Sequence, residues 1–63
     1  MLFIIQSDSG ATLKESLNYF GPIPRQGDRF RIDGKPFVAI TLTWHWEDAD
    51  THPVAVTVVV KPF

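Results

Sequence analysis

Sixty-three residues make one small domain, and a composition 44% hydrophobic and 21% charged is that of a globular chain rather than a disordered one. Six Lys and Arg against seven Asp and Glu leave a net charge of −1 with no block of either sign, which excludes a general electrostatic pull toward nucleic acid or membrane. The absence of cysteine excludes disulfides, thiolate catalysis and zinc–cysteine sites, so a domain that buries only about 60% of its unfolded surface needs tight packing, a ligand or self-association instead.

The opening run Leu2-Phe3-Ile4-Ile5 is continuously apolar. It is too short for a signal sequence and far short of the roughly 20 residues that cross a bilayer, so the cytoplasm is the default location. A run without alternation predicts a strand covered on both faces. Ser7-Asp8-Ser9-Gly10 supplies turn chemistry, because Asp and Ser side chains bond nearby backbone and glycine permits positive φ.

Residues 11–20 read two ways. Leu13, Leu17 and Phe20 recur at helical spacing, whereas Leu13, Leu17 and Tyr19 alternate as a strand broken by Glu15. With no capping box ahead of the segment, a second strand paired back on the first is the favoured reading, and a helix is the alternative. Gly21 to Gly27 holds two prolines and reads as a linker.

Gly27 to Trp46 organises the chain. Two alternating runs flank Asp33-Gly34, the strongest short hairpin signal. A two-residue loop pairs Phe30 with Phe37 and sets Phe30 and Ile32 on the opposite face from Val38 and Ile40. A three-residue bulged loop puts all even-numbered apolar residues together, and that choice is favoured because it buries more. The polar loop Glu47 to Pro53 keeps this parity: Trp44 meets Val56, Leu42 meets Val58 and Ile40 meets Val60. The predicted buried set is therefore Phe30, Ile32, Val38, Ile40, Leu42, Trp44, Val56 and Val58.

These elements give an all-β domain spanning residues 1–63. It is a small five-stranded antiparallel sheet or an SH3-like partly open barrel. The residues Pro24-Arg25-Gln26-Gly27-Asp28-Arg29-Phe30-Arg31-Ile32-Asp33-Gly34-Lys35-Pro36-Phe37-Val38, followed by Trp44 and an acidic loop, resemble small SH3-like proteins of bacteriophages and prophages. The resemblance covers about half of the chain and is a signature of fold. It implies an accessory phage protein, and for some such families an anti-defence role.

No serine stands in a G-x-S-x-G elbow, no phosphate-cradling glycine loop is present, and no nucleophile–base spacing appears, so no catalytic residue and no cofactor is assigned. His45 and His52 flank Glu47, Asp48 and Asp50, but without a recognised metal-ligand spacing. A solvated acidic loop is the stronger reading, and a metal-dependent activity at the two histidines is the weaker alternative.

Arg29 and Arg31 fall on one face of the first hairpin arm, which suits phosphate or base stacking with nearby aromatics. Phe37 and Trp46 are the aromatics assigned to that candidate ligand site. Phe3, Ile5 and Val59 are assigned to an exposed apolar face and hence to a subunit contact. The functional expectation is a non-enzymatic binding or assembly protein, homo-oligomeric and acting through protein–protein interaction. Nucleic-acid or nucleotide binding through Arg29 and Arg31 is the alternative.

Overall fold

A computed structural model describes residues 1–48 and 51–63. Five strands, β1 (Leu2–Ser7), β2 (Thr12–Ser16), β3 (Arg29–Ile32), β4 (Lys35–His45) and β5 (Ala55–Pro62), form one sheet in the order β2-β1-β5-β4-β3. The all-β class is as expected, and the ambiguous segment after Gly10 is strand rather than helix over Thr12–Ser16.

The sheet is mixed, which corrects the purely antiparallel expectation. β1 and β5 lie parallel, with Phe3 beside Val56 and Ile5 beside Val58, while the other three neighbouring pairs are antiparallel. Leu2–Ile5 and Val54–Val60 are both near-continuous apolar runs. Such runs suit the centre of a sheet, where each strand has a neighbour on both sides.

The hairpin between β3 and β4 corrects the register argument. Asp33 and Gly34 both adopt positive φ, 51° and 83°, the signature of a two-residue type I′ turn. Phe30 accordingly pairs with Phe37, and Ile32 with Lys35. The bulge that the pattern demands does exist, but it lies within β4. Ala39 faces Val60 and Thr41 faces Val59, so Ile40 is the extra residue. Before the bulge, Phe37 and Ala39 point to the core; after it, Leu42 and Trp44 do. Leu42 and Trp44 meet Val58 and Val56 as predicted, so the parity across the β4–β5 loop is right and fails only beyond Ile40.

The inner face buries Phe3, Ile5, Ala39, Val56, Val58 and Val60, with Met1, Tyr19, Ile23, Phe30, Ile32, Phe37 and Leu42 packed against them. Of the predicted core, Val56 and Val58 are buried, Phe30, Ile32, Val38, Ile40 and Leu42 are half-buried, and Trp44 is 44% exposed, at the open end of its strand. Phe3 and Ile5 are the reverse case. They lie inside the core, and the outer face of β1 carries instead their half-buried neighbours Leu2 and Ile4.

Residues 17–28 do more than link. The Tyr19 ring packs tilted by 45° against Phe3 with centroids 4.6 Å apart, and its hydroxyl donates to the Pro22 carbonyl at 2.7 Å. A Cβ at Gly21 would overlap the Tyr19 ring, so glycine is required there by close approach. The Gly27 N–H donates to the Ala39 carbonyl and the Ala39 N–H to the Asp28 carbonyl, each at 2.9 Å, which fastens the start of β3 to the strand beside it.

The two edge strands approach each other. Lys14 Nζ of β2 lies 3.3 Å from Asp33 Oδ1 in the β3–β4 turn. Leu13, Ile32 and Phe37 share a hollow of about 170 Å³ beside that pair. The sheet thus curls toward closure across side chains, with no backbone ladder between β2 and β3. This is a partly open barrel.

Candidate functional site

The alternation of β3 places Arg29 and Arg31 outward while Phe30 and Ile32 turn in. Register then names their neighbours. Arg29 pairs with Val38, and Val38 with Lys61; Arg31 pairs with Pro36. The Phe63 N–H donates to the Pro36 carbonyl at 3.1 Å, so Phe63 continues β5 on the same outer face. The Arg29 guanidinium sits 3.8 Å from the centre of the Phe63 ring. One corner of the outer face therefore carries Arg29, Arg31, Lys61 and Phe63.

Among the described residues these cations have no carboxylate within ion-pair distance. The one ion pair among the described residues is Lys14–Asp33. Asp28, the acid nearest in sequence, turns its carboxylate to the Arg25 backbone N–H at 2.8 Å. A groove of about 270 Å³, lined by Pro22, Ile23, Pro24, Asp28, Arg29 and Phe30, opens beside Arg29.

The predicted ligand residues separate. Phe37 belongs to the inner face, half-buried against the core. Trp46 lies beyond the far end of β4, 57% exposed. Neither joins the arginines. Lys61 and Phe63 take their place: the two-residue turn sets the faces at the start of β4, and the bulge at Ile40 sets which residues of β5 meet them.

A second surface forms at the opposite end of the sheet. The Val54 N–H donates to the His45 carbonyl at 2.8 Å, and the Leu2 N–H to the Val54 carbonyl at 3.1 Å. Val54 is thus fixed between β1 and β4, next to Trp46. Trp44 stands opposite Val56 in the row that continues to Phe3 and then Ser16, the last residue of β2. Leu17 and Phe20 follow Ser16 and border the same end, Phe20 being 91% exposed. Leu17, Phe20, Trp44, Trp46 and Val54 make this end apolar, with Glu47 and Asp48 exposed beside it.

Each histidine ring has a threonine hydroxyl beside it. His45 Nε2 is 3.1 Å from Thr57 Oγ1, and His52 Nδ1 is 3.3 Å from Thr51 Oγ1. No group of three His, Cys, Asp or Glu able to hold a metal occurs among the described residues. Asp50, the remaining acid of that predicted cluster, lies outside the described residues. No helix long and apolar enough to cross a membrane occurs among the described residues. Comparison with protein-family models, curated proteins and solved structures gives no match.

Proposed function

We propose that this chain is a non-enzymatic binding protein that docks a protein partner on the apolar end of its barrel. The observation that carries the reading is the gathering of Leu17, Phe20, Trp44, Trp46 and Val54 at one end of a 63-residue chain. Single exposed apolar residues are ordinary, but five toward one end of so small a sheet are not. Trp and Tyr are the residues that most often carry the energy of protein contacts. Glu47 and Asp48 at the margin favour a partner whose apolar patch has a basic border. This fits the accessory, anti-defence kind of role that the resemblance to SH3-like phage proteins implies.

The test uses the tagged chain and a Trp44→Ser/Trp46→Ser variant, both checked for native circular dichroism. A partner retained by the first and lost by the second is purified and titrated back. Its binding shifts tryptophan emission to the blue as the indoles leave water. A partner that binds both proteins equally, or leaves the emission unmoved, would falsify the assignment of this end.

A further inference from the structure

The basic corner lies on a different face from the apolar end and calls for a ligand of its own. We infer that Arg29, Arg31, Lys61 and Phe63 form a binding surface for single-stranded nucleic acid, the cations meeting phosphates and the phenyl ring meeting a base.

Four observations carry this. First, the three cations come from β3 and β5 and are brought to one face by register, on either side of Pro36 and Val38. They form a fixed row rather than a stretch of sequence. Second, among the described residues no carboxylate lies within ion-pair reach of any of them. A surface whose cations merely keep it soluble intersperses both signs. Third, Phe63 is 61% exposed and Arg29 already lies against its ring. The arginine keeps the ring in place and leaves exposed surface on which a base can stack, a contact that tolerates any base. Fourth, Arg29 and Arg31 stand two residues apart on one strand, about 7 Å, a step that one nucleotide of an extended strand can span. The groove beside Arg29 offers Pro22, Ile23, Pro24 and Phe30 as an apolar wall for a neighbouring base, with Asp28 as its one acidic lining residue.

The net charge of −1 does not oppose this. Glu47 and Asp48 lie beyond the far end of β4, about 30 Å from Val38 at the rise of a strand. Screening at physiological salt acts over about 8 Å, and Asp28, which lines the groove with Arg29, is one acid against the cations Arg29, Arg31 and Lys61, so the corner keeps a local excess of positive charge. Duplex DNA is the poorer fit, because its bases are stacked on one another and unavailable to Phe63. A folded acidic protein would use the cations and leave the ring idle.

The experiment is fluorescence anisotropy of the full chain with a labelled 12-nucleotide oligo-dT at several salt concentrations. Three phosphate contacts predict a log–log slope of affinity against salt of about −2 for a single strand. Phe63→Ala should weaken binding about 10-fold, a typical value for one stacked base, with the slope unchanged. It cannot act through unfolding, since the ring is exposed at the end of the sheet. The Arg29→Ala/Arg31→Ala variant, checked for an unaltered melting temperature, should reduce the slope to about −0.7, while Arg29→Lys keeps it. No detectable binding at 50 mM salt overturns the proposal. Equal affinity for a 12-base-pair duplex or for polyaspartate also overturns it, as does indifference to Phe63→Ala, since each of these means a plain polyanion site.

Discussion

Val58→Ala should be among the most damaging substitutions in the chain. Val58 is wholly buried on the central strand, flanked by Ile5 of β1 and Leu42 of β4. Removing two methyl groups loses about 1.6 kcal/mol of transfer free energy at roughly 0.8 per group. A sheet pinned on both sides relaxes little, and the residual cavity adds up to about 1 kcal/mol. The total of about 2–3 kcal/mol is a large share of the roughly 3–9 kcal/mol available to a 63-residue domain. With an unfolding entropy of about 0.13 kcal/mol/K for this length, the melting temperature should fall by about 15–23 °C. Val59→Ala makes the same chemical change one residue away, on the outer face, where Val59 is half-buried. It should cost less than about 1 kcal/mol, the value of one methylene or so. Urea titration followed by circular dichroism measures both at a dilution that keeps the chain monomeric. If Val59→Ala proves as costly as Val58→Ala under those conditions, the assignment of the core to the inner face is wrong.

Gly34→Ala should destabilise by about 1 kcal/mol or more: an added Cβ meets nothing within 4 Å, so the cost is purely that of holding φ at +83°. A urea midpoint unchanged by that substitution would argue against the type I′ turn. Lys14→Ala should change stability by under about 1 kcal/mol, and less in high salt, because both members of its ion pair are more than half exposed. Both tryptophans of the free chain should be readily quenched by acrylamide, given exposures of 44% and 57%; emission from an apolar, unquenchable environment would place them in contact with something. We propose that the outer-face residues Leu2, Ile4 and Val59 mediate self-association. Ile4→Lys should then lower the molar mass measured by light scattering at high concentration while sparing the core residues Phe3 and Ile5. A molar mass that equals the monomer's at all concentrations in the unsubstituted chain refutes this.

The sequence by itself determined the class and most of the elements. Alternation in residues 29–32 and 42–44, the Asp33-Gly34 turn, the Ser7–Gly10 turn and the parity of the loop before Val54 are local properties, decided within a few residues by side-chain pattern and permitted φ. What the tertiary structure alone decided was which strands meet and where the pattern breaks. The parallel pairing of β1 with β5 joins residues more than 50 apart in the chain, and no local preference specifies such a partner. The bulge at Ile40 is invisible in a run where Val38, Ile40 and Leu42 look alike; only pairing to Val60 and Val59 shows that one residue is extra. That single residue reverses the faces of half of β4. It sends Val38 outward and Phe37 inward, and it gathers Arg29 and Arg31 with Lys61 and Phe63 instead of with the aromatics nearer in sequence. A binding surface built across three strands depends on registry, and registry is set by how much apolar area the whole sheet buries in each alignment, which only the folded chain can weigh.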